Sequence, residues 1–121
     1  MEKVLIIDDN GINLRTAKEA LDDYYEVITV NSCKMALRYL EQHTPDIILL
    51  DIQMPEIDGF ETMAAIRSLP QTEDTPIIFL TAQNNIDDEI RGLELGAVDY
   101  IHKPFQPQIM RMRIRTQLAL A

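Results

Sequence analysis

Cysteine occurs once in the 121 residues, at Cys33, and tryptophan not at all. A single thiol cannot close an intrachain disulfide or build a multi-cysteine metal site, so a reducing, cytoplasmic setting is expected. No apolar run approaches the ~20 residues needed to span a bilayer, and the opening Met1-Glu2-Lys3-Val4 does not read as a signal peptide. Basic residues are scarce: 11 Lys and Arg stand against 20 Asp and Glu, a formal charge of −9. That balance speaks against direct nucleic-acid binding and against an anionic membrane surface. What is present is ordinary globular material, 46% apolar, in a length that fits one domain over residues 1–121.

The acids themselves stop short of the end. Residues 1–100 hold all 20 of them and 7 bases, whereas residues 101–121 hold only Lys103, Arg111, Arg113 and Arg115. The three arginines read as the solvated face of a helix. Lys103 belongs to a different pattern.

Val4-Leu5-Ile6-Ile7 is a continuous apolar run closed by Asp8-Asp9, as expected of a strand buried on both faces. Leu14, Ala17 and Leu21 follow at helical spacing, with Ala20 widening the stripe. Glu26 to Val30 is a second strand. Ser32 is a good N-cap for a helix with Cys33, Ala36, Leu37 and Leu40 on one side. Ile47-Ile48-Leu49-Leu50 ends at Asp51, and a loop with Pro55 and Gly59 leads to a helix carrying Phe60, Met63, Ala64 and Arg67. Ile77-Ile78-Phe79-Leu80 ends at Thr81-Ala82. The helix after it sets Ile86, Ile90 and Leu93 on one side and stops at Gly96. Val98 to Ile101 is the last strand, closing at Lys103-Pro104. The final helix begins near Pro107 with a Met110, Ile114, Leu118 stripe, and Ile109, Met112 and Leu120 give it a second apolar side.

Five strands alternating with five helices imply right-handed crossovers and an α/β fold: a doubly wound, flavodoxin-like five-stranded parallel sheet in the order 2-1-3-4-5. Ligands of such sheets sit beyond the carboxyl ends of the strands. Asp8 and Asp9, Asp51, Thr81 and Lys103 occupy four of those ends. Taken singly, each has a bland reading as a turn, cap or surface residue. Converging on one edge, they make a chemical site. Three carboxylates repel unless a cation offsets them, and Mg²⁺, with Mn²⁺ as an alternative, suits all-oxygen ligation. One carboxylate can then act as a nucleophile toward phosphorus, with Lys103 and Thr81 stabilising the phosphoryl oxygens.

Four blocks carry a family resemblance over the whole chain: Ile6-Ile7-Asp8-Asp9-Asn10, Leu49 to Gly59, Leu80-Thr81-Ala82, and Gly96 to Phe105. Their order and spacing resemble the receiver domains of two-component response regulators. The resemblance implies that Asp51 accepts a phosphoryl group from a phosphohistidine of a sensor histidine kinase or phosphotransfer protein. It implies Asp9 as the main metal ligand, with Asp8, Asp51 and the backbone carbonyl of Gln53 completing the set. Thr81 would then bond the phosphoryl group, Lys103 would pair with another of its oxygens, and a cis Lys103–Pro104 bond would aim the lysine. Tyr100 sits at the switch aromatic position, so phosphorylation would alter the surface of the fourth helix, fifth strand and fifth helix. Gln53 and Gln83 fall where phosphoryl lifetime is set. The implied protein is a regulator that assists its own phosphorylation and dephosphorylation, not a turnover enzyme.

A homodimer through that same surface, or a fused output domain after the last helix, is the further expectation; the ending resembles receivers that continue into cyclic-dinucleotide or kinase domains. The alternative is a degenerate receiver acting unphosphorylated as an interaction module, against which the intact acidic set, Thr81 and Lys103 stand. A flavin carrier would need a Ser/Thr/Gly-rich loop where Asp8-Asp9-Asn10 stands, and an aspartate-nucleophile phosphatase would need an acid where Gln53 stands. There is no G-x-x-x-x-G-K-[ST] loop, which argues against ATP as a direct donor. His102, turned from the site by strand alternation, reads as a surface histidine, and Cys33 as an inert core residue.

Overall fold

The computed structural model describes residues 1–82 and 84–121; Gln83, one of the two glutamines singled out above, lies outside them. The three strongest apolar runs become the three central strands, β1 (Lys3–Ile7), β3 (Ile47–Asp51) and β4 (Ile77–Ala82). Side chains from Val4 to Ile7, Ile47 to Leu50 and Ile77 to Leu80 are all but completely withdrawn from solvent. Such continuous burial suits parallel strands covered on both faces. Strands β2 (Glu26–Val30) and β5 (Asp99–Lys103) flank them and are only half-buried, because each lies at an edge. The order is β2-β1-β3-β4-β5 and every pairing is parallel, as the sequence predicts. Val98 stays outside β5 and exposed, whereas the strand was expected to begin there.

Alternation divides the strands between two cores. Leu5, Ile7, Ile48, Leu50, Ile77 and Phe79 pack with α2 (Cys33–Leu40) and α3 (Gly59–Arg67). Val4, Ile6, Ile47, Leu49, Ile78 and Leu80 pack with α1 (Gly11–Leu21) and α5 (Pro107–Leu120). The helix starts follow local capping chemistry. Ser32 accepts from the Met35 N–H at 3.2 Å, and Asp58 and Glu61 form a reciprocal capping box. A short 3₁₀ turn, Pro70–Thr72, precedes β4. Cys33 is buried on α2, as expected.

One expectation about a helix face needs correction, and two others gain detail. In α3 the buried face holds Thr62 and Ile66 with Phe60 and Met63, and Ala64 faces solvent. Thr62 can be buried because its hydroxyl donates to the Asp58 carbonyl at 2.7 Å. In α4 (Ile86–Glu94) the apolar side exists but is uncovered: Ile86, Ile90 and Leu93 are exposed, and Gly92 is the helix residue buried. In α5 the Met110–Ile114–Leu118 stripe packs inward, while Ile109, Met112 and Leu120 remain exposed. The basic end is not simply solvated either. Arg111 donates to the Ala20 carbonyl at 3.3 Å, and Arg113 pairs with both Asp99 oxygens at 2.8 and 3.0 Å. Among the described residues no helix is long and apolar enough to cross a membrane.

Candidate functional site

Because β1, β3, β4 and β5 run in one direction, their carboxyl ends share one edge, and the residues that interrupt their apolar runs meet there. Asp8 follows β1, Asp51 closes β3, Thr81 lies near the end of β4 and Lys103 closes β5. The edge forms a cavity of about 180 Å³ whose lining includes Asp9, Asp51, Gln53, Thr81 and Lys103. Lys103 extends over the sheet so that its ammonium lies 2.9 Å from Asp51 Oδ1 and 3.2 Å from Asp8 Oδ2. The Lys103–Pro104 bond is cis, as the resemblance implied.

Asp8 is fully buried, Asp51 and Thr81 nearly so, and Asp9 is exposed at the cavity rim. Burial is the largest influence on Asp51, pushing its carboxyl from 3.8 up to about 7; the Lys103 hydrogen bond opposes this and the Asp8 charge reinforces it. Lys103 is itself desolvated, which disfavours its charge, but the hydrogen bond and charge of Asp51, together with Asp8, outweigh that and raise its pKa. The backbone supplies further order: the Asn10 N–H donates to Asp8 Oδ1 at 2.9 Å and the Gln53 N–H to Asp51 Oδ1 at 3.3 Å. Gly59 brings α3 so close to the end of β3 that a Cβ there would lie 2.3 Å from the Asp51 carbonyl oxygen. Among the described residues Thr81 holds only a long 3.4 Å hydrogen bond to the Ala82 carbonyl, which commits its hydroxyl lightly.

One carboxylate oxygen from each of Asp8, Asp9 and Asp51 can be chosen so that all three lie within 4.8 Å of one another. Asp8 Oδ2 is buried without a hydrogen-bond partner among the described residues, and the Lys103 ammonium 3.2 Å away faces it as an ion pair. A buried, unpartnered carboxylate oxygen within such a cluster fits a hard divalent cation such as Mg²⁺. The acidic set, Thr81, Gln53 and Lys103 are thus brought together.

Tyr100 stands apart. Its half-buried ring lies beside His102, with centroids 5.2 Å apart, and near the Arg113 guanidinium at 5.6 Å. His102 is turned away from the cavity, as alternation predicts, but it is no idle surface residue: its Nε2 contacts a carboxylate oxygen of Glu89 on α4.

Two contributors escape the sequence reading. Asn10 caps α1, accepting from the Ile12 and Asn13 N–H groups at 2.9 and 3.1 Å, and Asn13 lines the cavity one turn further on. The signal available was a capping residue directly after the acidic pair, with a second amide three residues later.

Comparison with known proteins agrees with this arrangement. The sequence profile of the response regulator receiver domain matches residues 4–115. A probable cyclic di-GMP phosphodiesterase of Vibrio cholerae is 43% identical over 95% of this chain and 26% of its own length. A probable transcriptional regulator, ycf27, of Guillardia theta is 42% identical over 97% of this chain and 45% of its own length. The chain therefore spans between a quarter and a half of these curated relatives. The crystal structure of a response regulator from Chloroflexus aurantiacus superposes with a TM-score of 0.93 at 36% identity, covering 98% of both chains. With its profile, its relatives and its sheet in agreement, the chain belongs to the response regulator receiver domain family of two-component signalling.

Proposed function

We propose that this domain accepts a phosphoryl group on Asp51 from a phosphohistidine of a sensor histidine kinase or phosphotransfer protein, and relays it as a change in the α4–β5–α5 surface. The observation that carries the reading is the meeting of a buried, strand-end carboxylate with a lysine ammonium at 2.9 Å and two further carboxylates. An Asp51 oxygen attacks phosphorus as the donor P–N bond breaks, and the departing imidazole keeps the electron pair and takes up a proton. Lys103 is positioned to transfer its charge interaction from the Asp51 carboxylate to a phosphoryl oxygen. The lightly held Thr81 hydroxyl can turn to another. Asp8, Asp9, Asp51 and the Gln53 backbone carbonyl would hold Mg²⁺, which when bound supplies positive charge against the carboxylates and the phosphoryl oxygens.

Tyr100 is the switch aromatic in this reading, leaving His102 and Arg113 as Thr81 engages phosphate. Two surface features support self-association of the altered face. α4 presents Ile90 and Leu93 beside Asp87 and Glu94, and α5 presents Ile109 and Met112 beside Arg115, so apolar surface and opposite charge are both available for pairing between copies. The relatives' greater length supports a fused output domain, and a cytoplasmic location accords with the kinase partner. The degenerate, unphosphorylated alternative has no feature of the site in its favour.

The test is incubation with Mg²⁺ and acetyl phosphate followed by intact mass. A single phosphoryl adduct is expected, absent in Asp51→Asn and absent without the metal. An adduct that persists in Asp51→Asn would overturn the assignment. Sedimentation with and without the phosphoryl mimic beryllofluoride tests pairing, and a monomer in both conditions at high concentration would remove that part.

A further inference from the structure

α4 is an unusual helix for its place against the sheet. Of its nine residues Gly92 is the buried one, and the apolar Ile86, Ile90 and Leu93 point to solvent. Hydrophobic burial, the usual means of fixing a surface helix, therefore contributes little here. Side-chain contacts with neighbouring elements must supply more of the attachment. One is Arg91, whose guanidinium lies 4.1 Å from the centroid of the Phe60 ring on α3. Another, among the described residues, is the contact between Glu89 and His102, which ties the middle of α4 to β5.

The position of that second tie matters. His102 lies in register with Thr81 of β4, immediately precedes Lys103, and stands ring to ring with Tyr100. Glu89 is 14% exposed and His102 41%, so water competes with the contact only in part. The contact persists with the imidazole neutral or charged, provided Nε2 carries the hydrogen.

We propose that Glu89 and His102 form a clasp that holds α4 against β5 in the unphosphorylated chain and opposes the phosphorylated arrangement. The proposal rests on the phosphoacceptor reading above. When Thr81 and Lys103 are drawn to a phosphoryl group, the end of β5 and the Tyr100 ring shift relative to α4, and the clasp must lengthen or part. A contact made only in the resting state biases the equilibrium toward that state. Glu89 and His102 are thus positioning residues that lower the response to phosphate; neither touches the reacting atoms.

Two measurements on Glu89→Ala, His102→Val and the double variant test this. The first is amide hydrogen exchange without ligand. Exchange across residues 86–94 should quicken roughly threefold or more in each variant, while α2 stays unchanged. Unchanged exchange in α4 overturns the clasp. The second is the affinity for beryllofluoride in the presence of Mg²⁺. Each single variant should bind several-fold more tightly than the unsubstituted chain, and the double variant no more tightly than either. Equal affinities in all four proteins overturn the coupling while leaving the phosphoacceptor reading intact. If the unsubstituted chain fails to bind the mimic, the coupling falls together with that reading, and exchange still decides the clasp.

Discussion

The Lys103 ammonium lies 2.9 Å from Oδ1 of Asp51, in a site where both groups are largely removed from water. It offsets the Asp51 charge without cancelling the effect of burial, since the Asp51 carboxyl still rises from 3.8 to about 7. The consequence is a distinctive pH dependence in the metal-free chain. Between the unfolded value of 3.8 and the folded value of about 7, the folded chain holds a proton that the unfolded chain has released. This contribution to stability is complete below the lower value and is lost as pH rises through the upper one. Lys103, with its raised pKa, stays charged across that window. Denaturation in chelator between pH 5 and pH 8 should show stability falling with pH, and Asp51→Asn should flatten the slope by up to about one proton. An identical slope in the variant would contradict the assignment.

Asp8 has a cost of the same origin. Its Oδ2 is buried with no hydrogen-bond partner among the described residues, beside a second carboxylate. Asp8→Asn removes the like-charge repulsion and one of the two carboxylates facing Lys103, which keeps its closer partner Asp51 at 2.9 Å; the new amide can also donate toward Asp51. At pH 8 without metal the variant should be more stable, by about 1 kcal/mol. Mg²⁺ should then separate the two proteins in the opposite direction. A ligand bound only by the folded state raises stability as its concentration exceeds the dissociation constant. The unsubstituted chain should therefore gain melting temperature with Mg²⁺, and Asp8→Asn should gain little. Equal gains would show that Asp8 is not a ligand.

The sheet and the site were legible for a shared reason. Val4 to Ile7, Ile47 to Leu50 and Ile77 to Leu80 are too apolar and too short for anything but central strands, and what ends each run lands on one edge. Asp8, Asp51, Thr81 and Lys103 could be placed from the chain alone because topology, not side-chain packing, brings them together. What was not legible depends on pairs distant in sequence. Periodicity puts Ile86, Ile90 and Leu93 on one side of a helix but cannot say whether anything covers that side. In the same way, Arg113 looked solvated because its partner Asp99 lies 14 residues away, and His102 because Glu89 lies 13 away.

Arg67 illustrates the same gap and yields a test. It read as part of a helix stripe, yet its Nη1 donates to the Thr72 and Thr75 carbonyls at 2.8 and 2.7 Å. These bonds close the connection between α3 and β4. Partial burial lowers its pKa, but the group remains charged at any ordinary pH. Arg67→Met keeps most of the apolar stem and removes both donors. It should cost about 1.5–3 kcal/mol in urea denaturation, the range for hydrogen bonds to a charged group. The site's response to Mg²⁺ should be unchanged, since the connection lies at the opposite end of β4. A loss under 0.5 kcal/mol would mean that water replaces both bonds.

Gly92 offers a sharper probe of α4. A Cβ at this position would stand 2.6 Å from Cδ2 of Phe79. That ring cannot give way easily, because it is 1% exposed and packs edge-on against Phe60 with centroids 5.4 Å apart. In Gly92→Ala the strain must therefore fall mainly on α4, which has little buried surface to hold it in place. Two effects oppose each other: alanine is the better helix former by about 1 kcal/mol, whereas overpacking costs about 1–3 kcal/mol. The second is the larger over most of its range, so a net destabilisation of up to about 2 kcal/mol is expected. It should be accompanied by faster amide exchange in residues 86–94 and by little change in β1 and β3. A stabilised variant would show that α4 can lift from Phe79 without cost, and the attachment of this helix would then rest on its side-chain ties alone.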